Sequence, residues 1–353
     1  MVVNVYALDP LSDPRWGELV ARHAKGGVFH TTAWLESLRR TYGYEPVAYT
    51  TSPPGTDLQN GLVFCRVNSW LSGRRLVSLP FSDHCEPLVD RSVDLQVLLA
   101  AIGRQYWNQR WCYVEIRALR SLGAGTSLFH STYNYCFHKL DLKQDITTLF
   151  RNFHKSSTQR AIRRAEREGL TAQEGQSESL LNSFYDLFLL TRRRHRIPPQ
   201  PLTWFHSLID CFGQALQIRI AFKGGRPVAG MLTLRYNETL IYKYGCSDAR
   251  FSNLGGMHLL FWRSIQEAKQ ENMCVFDLGR SDCENAGLIT FKDRWGAMRS
   301  TLTYSRYTLS RQSAGTFKPA EAAWKLRVAK GLFAYAPDRL FSAAGRLLYK
   351  HIG

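Results

Sequence analysis

The chain carries one order of elements twice, the two copies offset by roughly 170 residues. In the first copy Thr32, Ala33, Trp34, Leu35, Glu36, Ser37 and Leu38 open a helix. Strand-rich runs follow at 45–51, 61–67 and 76–79, then a helical pattern at 93–107 and a strand at 111–117. In the second copy Leu202, Thr203, Trp204, Phe205, His206, Ser207 and Leu208 open the helix. Strands at 216–222, 227–236 and 239–244 lead to a helix after Gly256 and a strand at 274–278. Duplication of one α/β unit explains this order and predicts two lobes with a cleft between them. With 353 residues and 44% hydrophobic content, there is enough apolar material for two cores. Gly26-Gly27 and Pro53-Pro54-Gly55 mark turns inside the first unit, 121–126 reads as the loop that ends it, and 134–142 as a bridging strand. The expected division is 1–142, 143–312 and a basic amphipathic extension at 313–353.

Charge and cysteine usage narrow the chemistry. Lys and Arg number 46 against 29 Asp and Glu, a formal charge of +17. Such a surface attracts RNA, CoA phosphates, anionic lipid or acidic glycan without choosing among them. The eight cysteines are scattered, with no paired spacing or Cys/His arrangement suited to a metal, so reduced thiols and no metal site are expected. The first residues lack the basic-then-apolar pattern of a signal peptide. No run of about 18 apolar residues is present to span a membrane. The expected location is the cytoplasm, with peripheral contact at the inner face of the membrane.

The region 239–300 holds the candidate donor site. A strand at 239–246 meets Gly255-Gly256, which opens a helix reaching about residue 272. A helix start just after a strand presents backbone N–H groups and the positive end of the helix dipole, and glycine lets a ligand approach closely. That arrangement suits the phosphates of an acyl-CoA or the 3′ end of an aminoacyl-tRNA. A plain glycine turn accounts for the same residues.

Phe276-Asp277-Leu278-Gly279-Arg280-Ser281, with Gly287-Leu288, Phe291-Lys292 and Trp295-Gly296, resembles the C-terminal signature of FemAB-type transferases. The run 156–169, with Arg160, Arg163, Arg164 and Arg167 on one helix face, resembles the basic helix opening their second domain. Similar blocks occur in the BioF2/CelD-like acetyltransferases of polysaccharide and envelope systems. The resemblance covers most of 30–310 and implies an α/β (α+β) fold of tandem duplicated GNAT-like domains. It also implies acyl transfer to an amine of a peptidoglycan or exopolysaccharide precursor, with acyl-CoA or aminoacyl-tRNA as donor and no tightly bound cofactor.

Acyl transfer needs a deprotonated amine, an aligned donor and stabilisation of a tetrahedral oxyanion. The resemblance implies that a backbone N–H on the 239–246 strand polarises the carbonyl. It places the donor on Tyr244, Gly245, Arg250, Asn253, Leu254, Gly255, Gly256 and Arg280, and sets Lys292 beside the developing charge. Asp282 either takes the ammonium proton or pairs with Arg280. In the first unit Asp83 and His84 are candidate general bases, His84 because imidazole titrates near neutrality. Arg160, Arg163, Arg164, Arg167 and Arg193 are candidates for holding an anionic donor or acceptor. No nucleophile-elbow spacing points to a covalent intermediate.

Two departures from the family stand out. The long helical arm of some Fem enzymes is missing, and the 250–256 turn only approximates the glycine loop of CoA-binding members. The tail at 320–353, split by Pro337 into two basic amphipathic helices, is expected to dock on the second domain or rest on an anionic membrane. The alternative to an enzyme is a catalytically silent relative that binds polyanions or scaffolds polysaccharide assembly.

Overall fold

The computed structural model describes residues 4–119, 122, 129–308 and 338–352. All but Leu122 of the expected 121–126 loop, and the first of the two expected tail helices, lie outside the described residues. Two compact units emerge. One holds the described residues of Met1–Asn134, Thr301–Leu326 and Arg346–Gly353; the other holds those of Tyr135–Ser300 and Arg327–Gly345.

The first unit is a six-stranded mixed sheet in the order β1 (Tyr6–Leu8), β2 (Glu45–Thr50), β3 (Leu62–Ser69), β4 (Gly73–Ser78), β5 (Tyr113–Ala118) and β12 (Met298–Tyr307). Only β4 and β5 run parallel, Arg75–Ser78 lying against Tyr113–Ile116. The crossover between them is α3 (Ser92–Gln109), whose Leu98, Leu99 and Ile102 pack on Val47, Phe64, Leu76 and Val114. Helix α2 (Thr32–Tyr42) begins where Thr31 accepts the Trp34 N–H and ends at Gly43, whose φ of 70° suits glycine. It buries Trp34, Leu35 and Leu38 completely.

The second unit repeats the plan. Its order is the Tyr135–Asp141 part of β6 (Phe129–Asp141), β11 (Val275–Asp282), β10 (Thr239–Ser247), β9 (Arg226–Tyr236), β8 (Leu216–Lys223) and β7 (Thr171–Gly175). Again one pair is parallel, β10 with β11, and its crossover is α8 (Gly256–Gln270). Helices α5 (Arg160–Arg167) and α8 cover one face, where Ile162, Leu260 and Phe261 join Met231 and Phe276 in the core. On the other face α6 (Glu178–Arg194) and α7 (Leu202–Phe212) bring Phe188 and Phe205 against Tyr244. The last helix, α10 (Asp338–Ile352), buries Phe341 beneath the Arg193 guanidinium. A side chain at its Gly345 would collide with the Pro199 carbonyl.

The duplicated order thus holds in three dimensions, with two strands added to each copy: β1 and β7 at the outer ends of the two orders, and one further strand in each unit. In the first unit that strand is β12, from the far end of the sequence. In the second it is β6, which precedes the repeat.

Candidate functional site

The parallel contact between β10 and β11 covers only Thr239–Ile241 against Val275–Asp277. Beyond it β10 stays on β9 as far as Ser247, with an irregularity between Tyr242 and Tyr244, while β11 stays on β6 as far as Asp282. Alternation along a strand would put Tyr242 and Tyr244 on one face. The bulge sends them to opposite faces: Tyr242 packs 4.8 Å from the Phe261 ring on α8, and Tyr244 lies 5.3 Å from Phe205 on α7. The Tyr244 hydroxyl accepts from the Trp204 indole at 2.9 Å, so this predicted donor residue has its side chain in the α6–α7 core. Neighbouring Gly245 lies against the Tyr242 hydroxyl, which a Cβ there would strike.

Strand β11 has its own irregularity between Asp277 and Arg280, centred on Gly279 at φ 69°. The Asp277 carboxylate accepts the Gly279 N–H at 2.7 Å. Lys292 then reaches back from α9 (Ala286–Asp293), donating to the carbonyls of Gly279 at 2.9 Å and Arg280 at 3.0 Å. It is only 1% exposed. Asn285 caps α9 by accepting the Leu288 N–H, which fixes where Lys292 enters. Phe291 lines the other side, against His258, Phe261 and Trp295. The Arg280 guanidinium sits 4.3 Å above the Tyr135 ring, and Asp282 is exposed at the strand end.

The glycine turn is shaped by its neighbours. Gly255 has φ 82°, and a Cβ there would run into the Ala161 carbonyl of α5; a Cβ on Gly256 would come within 3.1 Å of Ala229. Glycine is therefore required at 255 by α5 and the backbone angle, apart from any ligand. The first N–H of α8 bonded back into the turn is that of Leu259, to Gly255 O at 3.0 Å. Those of Gly256, Met257 and His258 come before it and have no intrahelical acceptor, as at any helix start.

The cations around this turn are partly engaged. Arg164 donates to the Asn253 carbonyl at 3.0 Å, and Arg163 lies over the Phe150 ring. Arg160 and Arg167 are exposed. Arg250 is clamped by Asp248 at 2.6 Å, a hydrogen bond that holds the Asp248 carboxyl below its usual range. Leu254 packs at the edge of the core. A π-helical turn, Lys155–Gln159, precedes α5, and its Thr158 hydroxyl donates to the Arg294 carbonyl at 3.0 Å.

One residue at this turn escaped the sequence reading. His258, in the first turn of α8, stacks on Trp295 at 5.9 Å. Burial, followed by the charge of Arg294, lowers its pKa to about 4, so the imidazole is neutral at pH 7. A histidine two residues after Gly256 was the available signal.

The structure brings Lys292, Arg280 and Asp282 together around β11, and Arg164, Asn253, Gly255 and Gly256 together at the turn. Arg193 stands apart, over Phe341. Asp83 and His84 belong to the first unit. There the Asp83 carbonyl accepts from Tyr304 at 2.7 Å, and the His84 ring meets Phe29 edge-on at 5.6 Å. A cavity of about 400 Å³ elsewhere on the second unit includes Glu174, Arg219 and Glu267 in its wall and none of the predicted site residues. Its buried Arg219 is already held by Glu174, Glu267 and Thr233. Among the described residues no cluster of His, Cys, Asp and Glu could hold a metal ion.

A mixed sheet with one parallel pair bridged by a helix, present in duplicate, has the arrangement of a tandem GNAT-like α/β fold. Residues 152–292 match the family described as acetyltransferase (GNAT) domain. The chain is also similar to a UDP-N-acetylmuramoylpentapeptide-lysine N(6)-alanyltransferase of Weissella viridescens. Identity is 26% over 150 residues, which are 41% of this chain and 44% of that one, so less than half of the relative is matched. In three dimensions it resembles the crystal structure of FemX, with TM-score 0.68 at 13% identity over 86% of this chain and 97% of the other. A tandem GNAT protein from the clavulanic acid biosynthesis pathway gives TM-score 0.54 at 11% identity, over 86% of this chain and 97% of the other. The Fem-type and GNAT resemblance read from the sequence holds.

Proposed function

We propose that the protein is an N-acyltransferase of Fem type that moves an aminoacyl group from aminoacyl-tRNA onto an amine of a cell-envelope precursor. The observation that carries this reading is the parting of β10 from β11 beside the start of α8, within the matched GNAT segment. A donor carbonyl laid along β10 beyond Ile241 meets N–H groups that no longer serve β11, and these stabilise the tetrahedral oxyanion. The acceptor nitrogen forms the new C–N bond as the ester C–O bond to the tRNA breaks. The ammonium proton leaves to replace the lost acyl on the ribose oxygen. Lys292 acts as a positioning residue, holding the Gly279–Arg280 backbone that borders the site. The exposed Arg160, Arg163 and Arg167, beside the turn, supply charge for the donor's phosphates.

The named relative is an alanyltransferase, which favours aminoacyl transfer over the polyanion-binding alternative. An acyl-CoA donor is the second reading, supported by the acetyltransferase description of the matched family. In either case no cofactor stays bound, and the protein works in the cytoplasm at the inner face of the membrane. Among the described residues no helix is long and apolar enough to cross a membrane.

Titration with acetyl-CoA, with charged tRNA and with uncharged tRNA at two salt concentrations separates the readings. Preference for charged tRNA supports aminoacyl transfer. A saturable thermal shift with CoA alone selects the second reading. Equal, salt-erased binding of both tRNAs without a CoA shift overturns both.

A further inference from the structure

The first unit carries a patch that the transfer reaction leaves unused. Trp70 is 81% exposed at the tip of the β3–β4 turn, with Leu71 beside it at 53%. Trp107, in the last turn of α3, is 63% exposed, and Leu347 on α10 is 60% exposed. Short contacts gather these elements at one edge of the unit. The Cys112 N–H donates to the Arg74 carbonyl at 2.7 Å, and the Tyr106 hydroxyl to the Cys112 carbonyl at 2.9 Å. Ser72 Oγ and Arg75 Nη2 both donate to the His351 carbonyl at 2.7 Å, and the His351 ring stands 5.5 Å from that of Trp70.

On the segments that carry the patch the charge has one sign, the exposed Glu45 lying on β2 opposite Arg66. Arg74, Arg104, Arg110, Arg346 and Lys350 are exposed on these segments, and 66–75, 104–113 and 343–352 contain no Asp or Glu. Exposed tryptophan and leucine ringed by cations fit the interface of an anionic bilayer, where indoles sit at headgroup level and cations meet phosphate. RNA would use the cations and the indoles, but it offers no partner for two exposed leucines. Monomeric soluble proteins rarely gather apolar side chains this way without an occupant.

We propose that this edge of the first unit, with Trp70 and Leu71 at its tip, is a docking surface for anionic phospholipid. It holds the protein reversibly at a membrane and joins the end of the tail, through Arg346, Leu347 and Lys350, to the β3–β4 turn and the end of α3, which the sequence did not point to. The proposal does not depend on the identity of the transferred group, because the assay contains neither donor nor acceptor.

The test is sedimentation of the full chain with vesicles of phosphatidylcholine alone or mixed with phosphatidylglycerol, the latter also with brominated acyl chains to quench inserted tryptophan. Selective binding to the mixed vesicles, with quenching, is expected. The double variant Trp70→Ser/Leu71→Ser should bind about tenfold or more weakly with an unchanged unfolding temperature, since both side chains are exposed. Trp107→Ser/Leu347→Ser serves as the second probe should the first variant fold poorly. Three results each overturn the proposal: binding without quenching, unchanged binding by both double variants, or a wild-type dimer that these substitutions convert to monomer.

Discussion

A buried ammonium with two carbonyl acceptors gives Lys292 an energetic reason for its position. Two of its three donors go to Gly279 and Arg280, so losing them leaves two acceptors at the β11 irregularity without the cation. Lys292→Met keeps much of the volume and removes the charge. It should cost about 1–3 kcal/mol of stability, the usual price of stranding buried polar groups, and lower transfer more than tenfold; thermal melts and initial rates read the two effects separately. Histidines set the pH response. His258, by burial and then Arg294, and His30, chiefly by burial, both have pKa values lowered from 6.5 to about 4. The unfolded chain binds these protons first, so stability is full above about pH 6.5 and falls as pH drops toward 4, by about 1.4 kcal/mol per pH unit for each group. His258→Gln should flatten that slope in melting curves recorded across the window; an unchanged slope would count against a buried neutral imidazole.

At the scale of elements, α5, the glycine turn and α8 behave as one assembly. The Ala161 carbonyl fills the space beside Gly255, and Arg164 ties α5 to Asn253. Gly255→Ala must move α5 or strain the turn, at a cost of about 1–3 kcal/mol, and should weaken donor binding measured by titration. Gly287→Ala on α9, where the nearest atom to an added Cβ is Asn285 Oδ1 at 3.9 Å, is the control and should leave stability within about 0.5 kcal/mol. The turn itself was legible as a glycine pair between strand and helix. The reason for glycine was not, because the Ala161 carbonyl comes from a helix about ninety residues earlier. The opposite facing of Tyr242 and Tyr244 was hidden for a related cause: a bulge is set by pairing with β9, and alternation alone assigns both residues to one face.

At the scale of the whole molecule, the first unit depends on a strand that its own half of the sequence does not contain. Strand β12 joins β5, and Arg306 on β12 shares the buried Glu115 with Arg117, at 2.6 and 2.8 Å. Burial alone would raise the Glu115 carboxyl; Arg117 and Arg306 outweigh it and hold it low. Glu115→Ala leaves the Arg117 and Arg306 guanidinium groups without their shared carboxylate and should cost about 3–5 kcal/mol, seen as a lowered unfolding temperature in a thermal melt.

The sequence by itself determined the duplicated order of helices and strands, because hydrophobic periodicity and capping are local and each copy repeats them. It also placed the glycine turn and the Phe-Lys pair on neighbouring elements. Only tertiary structure decided that β12 pairs with β5 and β6 with β11, that Lys292 points inward to carbonyls, and that Trp70, Trp107 and Leu347 share an edge. Each of those outcomes rests on contacts between residues far apart in the chain, and a local pattern carries no record of which distant backbone will satisfy a strand edge or a buried charge.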